Sequence, residues 1–237
     1  MISTYVETMN SHTNPKKALN LIIYNDRTEA GQLLARELSN MKFETCPVVL
    51  AIPNGGVPVG VEIARTLAAD LDALIVRKLQ VPRNTEAGFG ALTSQGALLL
   101  NERLVKSIGL NQHQIELVVK RTQDQISQRK EDYRGLVGVT NPSNKDVILV
   151  DDGLASGYTM MAAVESVRGG GPTSITVAVP TSSRSAADLI RAKTETLICP
   201  RIESGFIFAV ANAYRNWYDV PDSEVIDILK TYRTRKD

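Results

Sequence analysis

Apolar positions along this chain alternate between two spacings. Val48–Ile52 is apolar at every position, which predicts a short strand buried on both faces, as in a parallel sheet. Val147–Val150, Ile175–Val179, Ala73–Val76 and Thr196–Ile198 read the same way. Between them the spacing lengthens to that of a helix. After Tyr24, Asp26 can cap a helix with Glu29 as its reciprocal partner, and Leu33, Leu34 and Leu38 form the stripe. Pro58 suits a first helical turn, continued by Val61, Ala64, Leu67 and Ala68. Helices are also predicted over Thr159–Arg168, Arg184–Arg191 and about Asp222–Tyr232. Asn111–Tyr133 predicts a long amphipathic helix. Ile115, Val118, Val119, Thr122 and Ile126 lie on one face and charge crowds the other, which suits a solvated face or a dimer contact.

The pattern breaks from Leu79 to Gly96, although Phe89–Thr93 and Ala97–Leu100 can pair as a hairpin about Ser94-Gln95-Gly96. Residues 199–221 also read as irregular, and residues 1–17 as a mobile leader. Strand and helix alternating at short spacing give an α/β fold with an open, mostly parallel sheet flanked by helices. The expected organisation is a leader (1–17) and one domain (18–237). That domain carries a loop and helical insertion at 79–135 and a hood at 199–221.

Composition narrows the chemistry. The 237 residues carry 27 Lys and Arg against 26 Asp and Glu, a net charge of +1. No whole-molecule field draws the chain to nucleic acid or to an anionic membrane, so any anion site must be built locally. The apolar runs are far shorter than the roughly 20 residues of a membrane helix. No secretory signal pattern is present at the N-terminus, so cytoplasmic residence is the expectation. Two cysteines, Cys46 and Cys199, and two histidines, His12 and His113, stand far apart. They argue against a disulfide framework, a zinc site or histidine catalysis.

In open sheets, ligands bind beyond the carboxyl ends of the strands, so the residues just past each strand end matter most. After Val147–Val150 come Asp151-Asp152-Gly153-Leu154-Ala155-Ser156-Gly157-Tyr158-Thr159. The small residues let successive N–H groups turn inward, and the helix start adds unsatisfied donors and a positive dipole end. Three or four such bonds, about 1.5–3 kcal/mol each to a charged group, can hold a phosphate without lysine. Two carboxylates beside a phosphate turn make sense for a sugar phosphate. They can accept from vicinal ribose hydroxyls, or hold a magnesium ion that bridges to them. The pattern is neither a Walker loop nor GxGxxG. Asn54-Gly55-Gly56, after the first buried strand, permits close approach to an anion, and Arg77-Lys78 places two cations at a neighbouring strand end. Together these ends describe a ribose phosphate with a second anionic group.

Val147–Met160 resembles the phosphoribosyl pyrophosphate (PRPP) signature of type I phosphoribosyltransferases. The similarity extends to an uncharacterised branch of that family through Asp26–Gly31, Ile52–Val61, Val76–Leu79 and 208–218, and covers about residues 20–230. The resemblance implies magnesium-dependent transfer of ribose 5-phosphate from PRPP to a nitrogenous base, with loss of pyrophosphate. The oxocarbenium-like transition state needs positioning and charge more than covalent help. It implies that Asp151 and Asp152 contact the ribose and, indirectly, Mg²⁺, with Arg77 and Lys78 as further catalytic cations. Gly153, Ala155, Ser156, Gly157, Tyr158 and Thr159 would take the 5′-phosphate. Asn54, Gly55, Gly56 and Arg83 would take pyrophosphate, often with a non-proline cis peptide in that loop. Leu154, Phe206, Phe208 and Trp217, with Tyr214, would shape the base pocket. Residues 79–96 would close over it, and the family suggests a homodimer.

Departures from the family pattern bear on the activity. Asn54 stands where the relatives usually have Arg, which Arg77, Lys78 and Arg83 would offset. Ala155 stands where hypoxanthine–guanine enzymes have Asp, which argues against that subclass. A protein that binds PRPP or a nucleotide as a sensor without turnover is the alternative; a receiver-like regulator leaves Gly157-Tyr158-Thr159 without a purpose. Asp152→Asn is expected to weaken PRPP binding with little change in melting temperature.

Overall fold

The computed structural model describes residues 23–138, 140–205 and 207–235. The leader at 1–17, with His12, and Phe206 lie outside them. The order of elements is α1 (Arg27–Leu38), β1 (Val48–Ala51), α2 (Gly56–Leu67), β2 (Asp70–Ala73), β3 (Val76–Val81), β4 (Asn84–Thr93) and β5 (Leu98–Leu100). Next come α3 (Glu102–Ile108), α4 (Gln112–Asp132), β6 (Asp146–Val150), α5 (Tyr158–Arg168), β7 (Ser174–Ala178) and β8 (Thr181–Ser183). The chain continues through α6 (Arg184–Arg191), β9 (Thr196–Ile198), β10 (Arg201–Glu203), a 3-10 turn (Val210–Ala213) and α7 (Asp222–Thr234).

The main sheet has the order β2-β1-β6-β7-β9, parallel throughout. Strand order reverses between β1 and β6, which is the topological switch point where such sheets bind ligands. All-apolar strands form there because both faces are covered. Val49, Ala51, Ile148 and Val150 face one core, and Val48, Leu50, Val147 and Leu149 face the other. Each such side chain contributes about 1.5–3 kcal/mol when fully buried. Around the sheet, α1 is capped as expected by Asp26, whose carboxylate accepts from Glu29 N at 2.9 Å. Glu29 in turn takes Asn25 N at 2.5 Å rather than the Asp26 amide. The long helix α4 starts on a complete Asn111–Gln114 capping box and buries Ile115, Thr122 and Ile126.

Several expectations change. The apolar stretch Ala73–Val76 is not one strand: β2 ends at Ala73, and β3 starts at Val76 in a different sheet. Asp70 and Asp72 obscured β2. Asp72 is buried because it accepts from Gly138 N at 3.1 Å and Thr140 N at 2.9 Å. Arg77 and Lys78 therefore lie inside an antiparallel strand, not at the exit of a parallel one. Much of 79–96 is also strand. β3, β4 and β5 form a three-stranded antiparallel sheet, and β4–β5 is the expected hairpin. Glycines that read as loop punctuation are cross-strand approaches: a Cβ on Gly88 would lie 2.3 Å from Lys78 Cγ, and one on Gly90 2.3 Å from Leu99 O. Helix α2 starts at Gly56, two residues before Pro58, and α3 was not anticipated. Within 199–221, β10 pairs with β8.

Candidate active site

The carboxyl ends of β1 and β6 interlock. Ile52 N donates to Val150 O at 2.8 Å. The Pro53–Asn54 peptide is cis, as the family resemblance implied. A Cβ on Gly56 would lie 2.7 Å from Val150 O, and one on Gly55 1.8 Å from Asp152 Oδ2. Gly55 and Gly56 are therefore required by close approach to the acidic loop itself.

After β6 the backbone is fastened to β8, with Leu154 N donating to Thr181 O and Ser183 N to Leu154 O, both at 2.9 Å. Gly153 fits beneath Val210, whose side chain leaves no room for a Cβ. Gly157, at φ +80°, turns the chain into α5 with no side-chain cap, so the helix's first N–H groups are left to other acceptors. A cleft of about 450 Å³ opens here. Asp151, Gly153, Leu154, Ala155, Ser156, Gly157 and Thr159 line one wall, and Lys78, Ala87 and Gly88 of the antiparallel sheet line the other. Tyr158 opens α5 but does not line this cleft.

The two acids differ in surroundings. Burial, then the charge of Asp152, pushes the Asp151 carboxyl well above its ordinary range. Burial also raises Asp152, and the Arg27 guanidinium opposes that rise. Arg27 grips one carboxylate oxygen, Oδ2, through Nε at 2.9 Å and Nη2 at 2.8 Å. It is itself buried, at 4% exposure. The peptide oxygen of Asp152 accepts from the Tyr214 hydroxyl at 2.6 Å.

Other expected residues lie elsewhere. The Asn54 amide donates to Val220 O at 2.7 Å and Asp222 Oδ1 at 2.9 Å, toward α7. Arg77 joins that neighbourhood. Burial and then the charge of Arg129 lower its pKa, and its Nε is buried without an acceptor among the described residues. Arg83, at φ +68°, lines a second cleft of about 270 Å³ with Lys78 and Arg121. Of the aromatics expected at the base, Phe208 is half-buried and outside the main cleft. Trp217 carries the Arg27 guanidinium 4.1 Å from its ring centroid. Arg27 is the site residue that sequence reasoning missed. Its only sequence signal was its place in the Asp26–Gly31 stretch.

Among the described residues no group of three or more His, Cys, Asp or Glu is placed to hold a metal ion. No described helix is long and apolar enough to cross a membrane.

Comparison with known proteins gives a consistent result. The family model for the phosphoribosyl transferase domain matches residues 24–213. Two curated proteins of Mycobacterium tuberculosis, each named "Putative phosphoribosyl transferase", are 33% identical over 207 residues. The match covers 87% of this chain and 46% of theirs, so the chain spans about half the length of these relatives. The crystal structure of TT1426 from Thermus thermophilus is similar with a TM-score of 0.75 and 34% identity, over 89% of this chain and 99% of that one.

Proposed function

This chain belongs to the phosphoribosyl transferase domain family, and on that premise we propose that it transfers ribose 5-phosphate from PRPP to a nitrogenous base and releases pyrophosphate. The observation that carries this reading is one cleft shared by a carboxylate (Asp151), a small-residue turn leading into a helix (Gly153–Thr159) and a cation opposite (Lys78).

Each part has a task in such a transfer. The first-turn N–H groups of α5 and the Ser156 and Thr159 hydroxyls hold the 5′-phosphate. Asp151 and Asp152 accept from the ribose hydroxyls. Holding the sugar in place lets the bond to pyrophosphate lengthen ahead of attack, and enclosure keeps water from intercepting the ribosyl cation. Pyrophosphate leaves toward the 53–56 loop. There Arg77 and Arg129 stand together near the Asn54 contact, with Asp222 as the carboxylate facing both. This surplus of positive charge offsets the absence of an arginine at position 54. Mg²⁺ suits the site as an ion carried by the donor: Asp151 is a half-buried carboxylate in the cleft wall, and an adjacent cation would favour its ionised form. When bound, the ion supplies charge stabilisation to the departing pyrophosphate.

A second reading is a PRPP or nucleotide sensor without turnover. Asn54 supports it, because its amide is committed to Val220 and Asp222. Calorimetry with PRPP and Mg²⁺, then a pyrophosphate-release assay over a panel of bases, separates the two. Release with at least one base supports transfer. Binding without release on any base supports the sensor, and no binding overturns both.

A further inference from the structure

Arg27 makes contacts in two directions. Its Nε and Nη2 hold Asp152 Oδ2. Its Nη1 donates to Tyr218 O at 3.0 Å. The flat guanidinium lies over Trp217 at 4.1 Å, with the Tyr218 ring at 5.4 Å and the Tyr214 ring at 5.7 Å from its carbon. A separate bond links the same two regions, from the Tyr214 hydroxyl to Asp152 O at 2.6 Å. Residues 214–218 are thus fastened to Asp152 at its side chain, through Arg27, and at its peptide oxygen.

We propose that Arg27 is a positioning residue that couples the 214–218 segment to Asp152, so that a pentose phosphate engaging Asp152 is registered at the face of Trp217. The inference rests on the donor-site reading above. Both Arg27 bonds fall on one carboxylate oxygen, Oδ2, so a sugar hydroxyl can engage the carboxylate by displacing the Asp151 carboxyl that hydrogen-bonds it in the ligand-free site. A carboxylate that turns to meet that hydroxyl carries the guanidinium with it, because a buried cation separated from its counter-charge is strongly disfavoured. The guanidinium cannot turn without changing its stacking on Trp217 and its bond to Tyr218 O. Lysine has neither the fork nor the flat face needed for both contacts. The consequence for the reaction is order: ribose engagement sets the hood in place before the acceptor is met.

The chain has one tryptophan, so Trp217 emission in this chain reads the coupling directly. Without ligand, Asp152→Asn and Arg27→Lys are each expected to shift that emission and increase its quenching by acrylamide. The double variant is expected to change no more than the larger single one. With Mg²⁺ and PRPP, the wild-type protein is expected to show a saturable emission shift whose midpoint matches the calorimetric Kd. Arg27→Lys is expected to lose the shift and bind PRPP about tenfold more weakly. Melting curves establish which variants fold; if neither does, the wild-type titration decides. Unchanged Trp217 emission and quenching in folded variants overturns the coupling, and so does PRPP binding by calorimetry with no change at Trp217. Shifted emission in the variants together with no PRPP binding supports the link from Asp152 to Trp217 and overturns the donor reading instead.

Discussion

Asn54 and Asp222 meet at 2.9 Å, amide to carboxylate Oδ1, and bind the loop after β1 to the start of α7. The same oxygen accepts from Arg129 at 2.9 Å and from the Tyr133 hydroxyl at 2.7 Å. One carboxylate therefore organises the loop after β1, the long helix and the last helix.

Removing that carboxylate should loosen all three elements. Asp222→Ala is expected to cost about 1–2 kcal/mol in denaturant unfolding, toward the low end because the Asp222 side chain is 45% exposed. The pH dependence has a definite sign. Burial pushes the Asp222 carboxyl up, but the Tyr133 and Asn54 hydrogen bonds and the Arg129 charge outweigh it and hold the carboxyl below its ordinary value. Its contribution is full above the unfolded pKa, near about 4, and is lost as pH falls through the folded value. An acid titration of stability should be flatter in Asp222→Asn than in the wild type across that window.

Neighbouring acids should respond oppositely to amidation. Burial and the Asp152 charge raise the Asp151 pKa. Its ionised form therefore weakens the ligand-free fold as pH rises from the unfolded value through the folded one. Asp151→Asn should raise the melting temperature at neutral pH and reduce PRPP affinity. Burial raises the Asp152 pKa as well, but Asp152→Asn also leaves the buried Arg27 beside a neutral group, a loss that outweighs the relief and should lower stability by about 2–4 kcal/mol. That revises the sequence-based expectation of little change in melting temperature. Parallel melting curves of the two variants test it.

Gly55→Ala should disable the site. The new methyl would lie 1.8 Å from Asp152 Oδ2, the oxygen that Arg27 grips. Displacing this carboxylate should weaken PRPP binding by about ten- to a hundredfold, the loss of a hydrogen bond to a charged group. Gly96→Ala is the matched control: nothing lies within 4 Å of its Cβ position. Its φ of +92° should cost about 1–2 kcal/mol of stability while PRPP affinity holds. Calorimetry on both variants checks the contrast.

Lys78 stands across the cleft from the Gly153–Thr159 turn. Lys78→Ala should lower PRPP affinity about tenfold and flatten the dependence of binding on salt, since one charge-assisted contact is removed. Isotherms at two ionic strengths measure it.

The parallel sheet was legible because burial on two faces leaves an all-apolar signature, and the acidic strand end was legible because its residue types are rare after such a strand. Other parts left weaker traces. Asp72 is polar yet buried, since the backbone N–H groups of Ala73, Gly138 and Thr140 meet it, so β2 carried no apolar run. Gly88 and Gly90 mark strand contact, yet a glycine alone reads as a turn. Arg27 lies 125 residues from Asp152 along the chain, and no local spacing announces such a pair. Asn54 stands out in the sequence as a departure, but its contacts with Val220 and Asp222 depend on where α7 docks.

The stretch from Ser204 to Trp217 adds only Ala213 and Tyr214 to the buried apolar clusters among the described residues. Ile207 is 88% exposed. Substitutions at the exposed positions of that stretch, such as Ile207, spend little of the fold's stability, whereas Gly55, Gly56 and Gly153 tolerate almost none. Under the transfer proposed above, such an arrangement lets residues on the acceptor side change while those that hold the donor stay fixed.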